Sequence, residues 1–332
     1  MPDERKEPAD PAILEIRELT VTYRTALELV RAVRGASLHI QRGETLSLVG
    51  ETGSGKSTVA LAILGLLGQH EQTGEILYDG RRIQSLSQRE WKEIRSQEIG
   101  IVFQDMRNAL NPVMTILDHM VETLRAHQAI AKRAAWGRAR ELLREVGITE
   151  VQEKLYPFEL SGGACQRVGI ALGLCNNPRL LIADEPTSSI DTALQAQILD
   201  LLQLLKNRYG LALLLISHDL PVISLISDRI SVMYHGRVVE SGLKGEVLGA
   251  PAHPYTLGLI QCQPTFTHNS DKNRLVSIPG VMPGGSQEFP GCAFAPRCSR
   301  YEPSCLESIP AVRHLSRTRR VECFSPVDPP KR

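Results

Sequence analysis

This chain of 332 residues has no excess of charge of either sign, no apolar run long enough for a bilayer and no leader-like start. Its 38 basic residues stand against 37 acidic ones, a formal net charge of +1, so no global field argues for nucleic acid as a partner. The longest apolar runs, residues 59–67 and 211–216, fall far short of the ~20 residues that a spanning helix needs. The first ten residues, MPDERKEPAD, are polar and acidic, which is wrong for a signal peptide. These absences exclude an integral membrane protein and predict a soluble, cytoplasmic one. The length leaves room for one large domain plus a smaller one, or for two medium ones. Cysteine is unevenly spread: of seven, four fall within the last 41 residues. In a reducing compartment such crowding suggests metal ligation before disulfides.

The rest of the chain is organised around residues 44–58. Leu46, Leu48 and Val49 read as a strand that runs into Gly50-x4-Gly55-Lys56-Ser57, and a helical run follows over 59–67. Strand, glycine-rich loop and helix in that order are what a phosphate-binding loop requires. The glycines let consecutive backbone amides turn inward around β- and γ-phosphates, and the helix amino terminus adds positive potential there. Lys56 would bridge phosphate oxygens, and the Ser57 hydroxyl would be a magnesium ligand.

Further along, Leu180-Leu181-Ile182-Ala183 reads as a strand buried on both faces, with Asp184 and Glu185 at its carboxyl end. Open α/β sheets bind ligands at that edge, so Asp184 would hold the magnesium shell and Glu185 would act as general base on the attacking water. Residues 211–216 form a second such strand, ending in Ser217-His218-Asp219, where His218 could touch the γ-phosphate. Other strands are expected over 13–23, 36–40, 75–78, 99–103, 229–234 and 237–240, the last two as a hairpin around His235-Gly236. Residues 68–74 read as a connector, and 113–147 as a helical insert with Ile116, Met120 and Leu124 at fourfold spacing. Ser161-Gly162-Gly163 opens another helix; by itself that is a capped turn. Tyr23, at a strand end, could stack on an adenine or be an ordinary half-buried strand tyrosine.

Gly50-Glu51-Thr52-Gly53-Ser54-Gly55-Lys56-Ser57, Gln104, Leu160-Ser161-Gly162-Gly163, Asp184-Glu185, Asp191 and His218 follow one another in the order of an ABC-transporter ATPase. Other phosphate-loop families lack the Leu-Ser-Gly-Gly element. Gln104-Asp105 with Leu110-Asn111-Pro112-Val113-Met114-Thr115, and His253-Pro254-Tyr255-Thr256, resemble the ATP-binding subunits of oligopeptide and dipeptide (peptide/nickel/opine) permeases over residues 12–325. The resemblance implies an α/β fold with an ABC-type core. That core has a mainly parallel sheet, an antiparallel β subdomain and a helical subdomain at about 105–175, followed by a small irregular Cys-rich C-terminal module. The implied division is a tail at 1–11, a nucleotide-binding domain at 12–250 and a C-terminal extension at 251–332.

The resemblance also implies roles. Tyr23 stacks the adenine, while Gly50, Thr52, Gly53, Ser54, Gly55, Lys56, Ser57 and Thr58 cradle ATP. Ser57, Gln104 and Asp184 hold Mg²⁺, and Glu185, His218 and Gln104 are catalytic. Ser161, Gly162, Gly163 and Gln166 close on the ATP of an opposite subunit, with Asp191 at that interface. The implied function is ATP hydrolysis that powers import of di- or oligopeptides or a related nutrient, by closure and reopening of an ATPase dimer. The implied partners are a paralogous ATPase subunit, two transmembrane permease subunits and, indirectly, an extracytoplasmic solute-binding protein, at the cytoplasmic face of the inner membrane and with no nucleic acid. A non-transport ABC ATPase acting on nucleic acid or ribosomes is the alternative; those usually carry a coiled coil or two tandem cassettes. Ala164-Cys165, Ser188-Ser189-Ile190 and Met106-Arg107-Asn108-Ala109 depart from the family pattern without removing a catalytic group.

In the tail, residues 278–291 are too rich in Pro and Gly for a regular helix or an interior strand. Cys292-x5-Cys298-x6-Cys305-x17-Cys323 follows, and four thiolates can complete a shell for zinc or for an iron–sulfur cluster. The permease resemblance implies a [4Fe–4S] cluster, with zinc as the alternative.

Overall fold

The computed structural model describes residues 12–26, 28–188, 190–263 and 277–327; the tail expected at 1–11 lies outside them. In chain order the strands are β1 (Leu14–Arg24), β2 (Leu29–Ile40), β3 (Thr45–Val49), β4 (His70–Tyr78), β5 (Arg81–Arg82) and β6 (Ile99–Val102). They continue with β7 (Leu180–Asp184), β8 (Ala212–Ser217), β9 (Arg229–Tyr234), β10 (Arg237–Leu243), β11 (Val312–His314) and β12 (Arg320–Glu322). One sheet has the order β2-β1-β4-β5, with antiparallel neighbours, and the other β11-β12-β10-β9-β3-β8-β7-β6. Within the second, β9, β3, β8, β7 and β6 run parallel, while β10, β12 and β11 are added antiparallel at one edge.

Every residue of β3 and β8 is buried. Their side chains alternate between two cores. Ala212, Leu214 and Ile216 point with Leu46 and Leu48 toward the antiparallel sheet, and Leu213 and Leu215 point with Leu181 and Ala183 toward the helices on the other side. An uninterrupted apolar run is what a strand covered on both faces needs. Each such Leu or Ile contributes about 1.5–3 kcal/mol through burial. Helix Thr192–Tyr209 links β7 to β8 and stops at Gly210, whose φ of +62° suits a residue without a Cβ.

The expected helical insert is two helices, Ile116–His127 and Lys132–Glu145, because the chain turns extended at Gln128. The expected connector at 68–74 is also corrected. Strand β4 begins at His70, since Glu71, Gln72 and Thr73 pair with Thr22, Val21 and Thr20 of β1. Pairing supplies a strand where the polar sequence alone signals none.

The small Cys-rich C-terminal module that the resemblance implies finds no support as a unit of its own. Val321 and Arg320 pair with Glu240 and Ser241, which makes β12 a neighbour of β10 in the main sheet. Phe294 is buried in the main core, its ring 5.2 Å from Tyr234 and 5.3 Å from Tyr255. Residues 278–291 hold neither helix nor strand, as their Pro and Gly content predicts. The tail has too little apolar material for its own core and borrows the core beside it.

Candidate active site

The phosphate loop leaves the carboxyl end of β3. A Cβ at Gly50 would lie 2.1 Å from the Met233 carbonyl oxygen, and one at Gly55, where φ is +103°, 2.3 Å from that of Ala32. Both positions therefore require glycine. Helix Lys56–Ile63 starts at Gly55 with no side-chain cap and no acidic residue in its first turn, so its leading amides remain available to an anion. Thr52 and Gly53 are exposed at the loop tip, Thr58 is half-buried, and Ser54 is buried, with its carbonyl accepting from Gly236 N at 2.9 Å. Lys56 is 5 % exposed, and its Nζ donates to Gly50 O (2.8 Å) and Glu51 O (3.0 Å). Burial lowers its pKa, against the attraction of Glu185, Asp184 and Glu51.

Two carboxylates meet that lysine from the end of β7. Burial pushes the Asp184 carboxyl up, opposed by a hydrogen bond from Ser57, and Asp184 Oδ1 is buried with no hydrogen-bond partner. An orphaned carboxylate oxygen beside a serine hydroxyl is a hard oxygen pair that suits Mg²⁺. Glu185 sits at φ +46°, a left-handed conformation that costs about 1–2 kcal/mol for a residue with a Cβ. Its N–H donates to Ile216 O (2.9 Å). Its carboxylate accepts from Gln104 Nε2 at 3.0 Å on one oxygen, and His218 Nδ1 lies 3.1 Å from the other. Strain of this kind persists where surrounding bonds over-determine it, and it concentrates at functional sites.

The sequence-derived residues thus divide. Lys56, Ser57, Asp184, Glu185, Gln104 and His218 come together. Tyr23 is half-buried on β1, opposite Val30 and His70. Ser161 and Asp191 cap helices Gly162–Leu174 and Thr192–Tyr209, accepting from Ala164 N and Leu194 N. Among the described residues no hydrogen bond or ion pair joins Ser161, Gly162, Gly163 or Asp191 to the phosphate loop. Gly162 instead lines an open cavity with Gln104, Gln166 and Ile190. Gln166 is buried, and its Nε2 donates to Phe103 O (3.3 Å).

Cys292, Cys298, Cys305 and Cys323 line one small pocket with His253 and Phe294, and all four are free thiols. Burial raises the pKa of Cys292 and Cys298, and pushes Cys323 up to about 11. Among the described residues no group of three or more His, Cys, Asp or Glu is set to hold a metal ion. The expected [4Fe–4S] cluster, and zinc as its alternative, therefore find no support in ligand geometry.

Sequence reasoning missed two contacts on the loop. Glu51 N donates to the Tyr255 hydroxyl (2.9 Å), and Arg297 Nη1 reaches both Glu51 carboxylate oxygens (3.1 and 3.2 Å). The partners are 204 and 246 residues away from Glu51, so no local pattern could announce them.

Comparison with known proteins agrees with this geometry. A family profile described as ABC transporter matches residues 33–188, and one described as oligopeptide/dipeptide transporter, C-terminal region, matches residues 239–305. The chain is 40% identical over 317 residues to the oligopeptide transport ATP-binding protein OppD of Bacillus subtilis, covering 94% of this chain and 88% of that one. It is 41% identical over 326 residues to a putative peptide import ATP-binding protein of Brucella melitensis, covering 94% and 96%. Among solved structures, the ATP-binding cassette MJ0796, dimeric and bound to ADP and Pi after hydrolysis, superposes with a TM-score of 0.64 at 32% identity, over 70% of this chain and 98% of that one. With a strained glutamate set beside a glycine-framed phosphate loop and a matching C-terminal region, the chain belongs to the ABC-transporter ATP-binding proteins, in their oligopeptide/dipeptide branch.

Proposed function

We infer that this chain is the ATP-binding and ATP-hydrolysing subunit of an importer for di- and oligopeptides or a related nutrient. The observation that carries the reading is the Glu185 carboxylate, bracketed by Gln104 and His218 and facing the phosphate-loop lysine. In this reading the loop amides and Lys56 bind the phosphates, and Tyr23 stacks the base. Ser57, Asp184 and Gln104 would hold Mg²⁺, which neutralises charge on the phosphates when bound. Glu185 accepts the proton of the attacking water, Gln104 orients that water, and His218 reports whether the γ-phosphate is present.

Ser161, Gly162, Gly163, Gln166 and Asp191 belong, in this proposal, to the face that closes on a second ATPase subunit, a paralogue. Support comes from the dimeric state of the solved cassette MJ0796. The membrane-embedded permease subunits are proposed to dock in a groove of about 290 Å³ beside β6, lined by Phe103, Met106, Leu110, His119, Thr123 and Leu172. Among the described residues no helix is long and apolar enough to cross a membrane, which fits a peripheral subunit at the cytoplasmic face. Residues 12–250 are proposed as the nucleotide-binding domain, with its helical subdomain at about 105–175, and 251–332 as the extension that completes it.

For the four cysteines the proposal is an all-thiolate shell for [4Fe–4S], with zinc as the alternative; it rests only on their convergence in one pocket. Anaerobically purified protein should be brown and bleach with dithionite, and a colourless, metal-free preparation overturns it. For the main reading, Glu185→Gln in the reconstituted transporter should retain ATP and trap a closed ATPase pair, with peptide-stimulated turnover down by about 10²–10⁴. Turnover at the wild-type rate would refute Glu185 as base.

A further inference from the structure

The phosphate loop is tied at one residue from three directions. Glu51 receives Lys56 Nζ on its carbonyl (3.0 Å), gives its N–H to the Tyr255 hydroxyl (2.9 Å), and presents its carboxylate to Arg297 (3.1 and 3.2 Å). Arg297 is held firmly. Its side chain is 7 % exposed, its Nε donates to Pro279 O (2.8 Å), and its guanidinium lies 5.8 Å from the Tyr234 ring and 6.0 Å from the Phe294 ring. Glu51, by contrast, places a negative charge inside a loop built to receive a polyanion. An unpaired carboxylate there would repel the phosphates, and the repulsion would be weakly screened because the pair is largely withdrawn from water.

We propose that Arg297 is a positioning residue for the nucleotide, which neutralises Glu51 and fixes it, so that the C-terminal segment completes the phosphate-binding loop. The proposal rests on residues 50–57 being that loop, and it adds a group that touches no nucleotide itself. Because Arg297 acts through Glu51, removing the arginine leaves a half-buried, repelling charge, while removing both charges leaves little to repel.

The test is a set of affinities for MgATP, measured with the full-length protein by displacement of a fluorescent nucleotide analogue, with thermal melting recorded alongside. Arg297→Met should weaken binding by roughly tenfold or more, the loss typical of a severed charge-assisted bond. Arg297→Lys should fall in between, because an ammonium cannot reproduce the guanidinium's planar fork of donors. Arg297→Met combined with Glu51→Gln should return most of what Arg297→Met loses. That recovery is the readout a purely structural arginine would not give. Wild-type affinity in a folded Arg297→Met protein, or failure of Glu51→Gln to restore it, overturns the proposal. If Arg297→Met does not fold, Arg297→Lys replaces it in the same comparison, with a loss of at least about threefold expected; equal affinity then overturns it. Lys56→Ala separates the two levels: unimpaired binding in that variant refutes the phosphate loop itself, whereas lost binding there with wild-type binding in Arg297→Met refutes only the arginine's role.

Discussion

Arg319→Met is the perturbation that most directly asks whether the C-terminal strands belong to the sheet. Glu240, on β10, is 0 % exposed, and its Oε1 accepts from Arg319 Nη2 at 2.7 Å and from Nε at 3.2 Å. Ala252 N (2.9 Å) and His253 N (2.8 Å) also donate to the carboxylate, so it would keep backbone donors but lose its counter-charge. Removing one partner of a buried pair costs about 3–5 kcal/mol, and the remaining donors place this case near the lower end. At about 1.4 °C per kcal/mol for a chain of 332 residues, unfolding should move down by roughly 4 °C. Far-UV circular dichroism during heating measures it. The drop should appear in the main transition, because β12 pairs with the strand that carries Glu240. Glu240→Gln added to Arg319→Met should recover part of the loss, since the amide oxygen still accepts from the backbone while the stranded charge is gone. A main transition lowered by less than about 2 °C would refute the reasoning and make residues 312–322 an appendage.

Three other outcomes follow from the geometry. Gly55→Ala should abolish measurable nucleotide binding, because its Cβ would meet the Ala32 carbonyl at 2.3 Å and φ is +103°; wild-type affinity in a titration would contradict the loop geometry. His218→Ala should keep MgATP affinity within about threefold while slowing turnover by about 10² or more, as expected for a group that acts on the γ-phosphate and Glu185. His253 is fully buried, and burial lowers its pKa from 6.5 to about 3, so the unfolded chain binds a proton in the interval that the folded one refuses. Its contribution is complete above pH 6.5 and is lost as pH falls toward 3, by about 2 kcal/mol between pH 6.5 and 5. His253→Asn can still cap Tyr255 N and should flatten that acid slope in urea titrations at pH 7 and pH 5.

The parts of the fold that the sequence discloses are those whose physics is local. Leu180-Leu181-Ile182-Ala183 announces a two-faced strand because both cores lie within one residue's alternation, and Asp184-Glu185 falls where that strand must end. The glycines at 50 and 55 are legible for the same reason: the loop they shape is closed within eight residues. The first half of strand β4 was hidden because its backbone bonds go to β1, some fifty residues earlier, and nothing in His-Glu-Gln-Thr-Gly records that partner. The bracketing of Glu185 was half visible. Gln104 and His218 each sit at a strand end, but only the parallel order β6-β7-β8 brings them to one carboxylate.

The tail was hardest to read, because composition there signalled irregularity and irregular segments suggest independence. Independence, however, requires a core, and residues 292–322 instead supply Phe294 to the main core and Val321 to the main sheet. Having docked, the segment cannot be energetically neutral toward the loop beside it. Tyr255 packs on Phe294 and also takes the Glu51 amide, and Arg297 stands over Tyr234 while facing the Glu51 carboxylate. Any rearrangement that shifts Phe294 must therefore move both restraints on Glu51 together. A loop that looks self-contained in sequence, between residues 44 and 58, is in three dimensions held at Glu51 by residues more than two hundred positions further on.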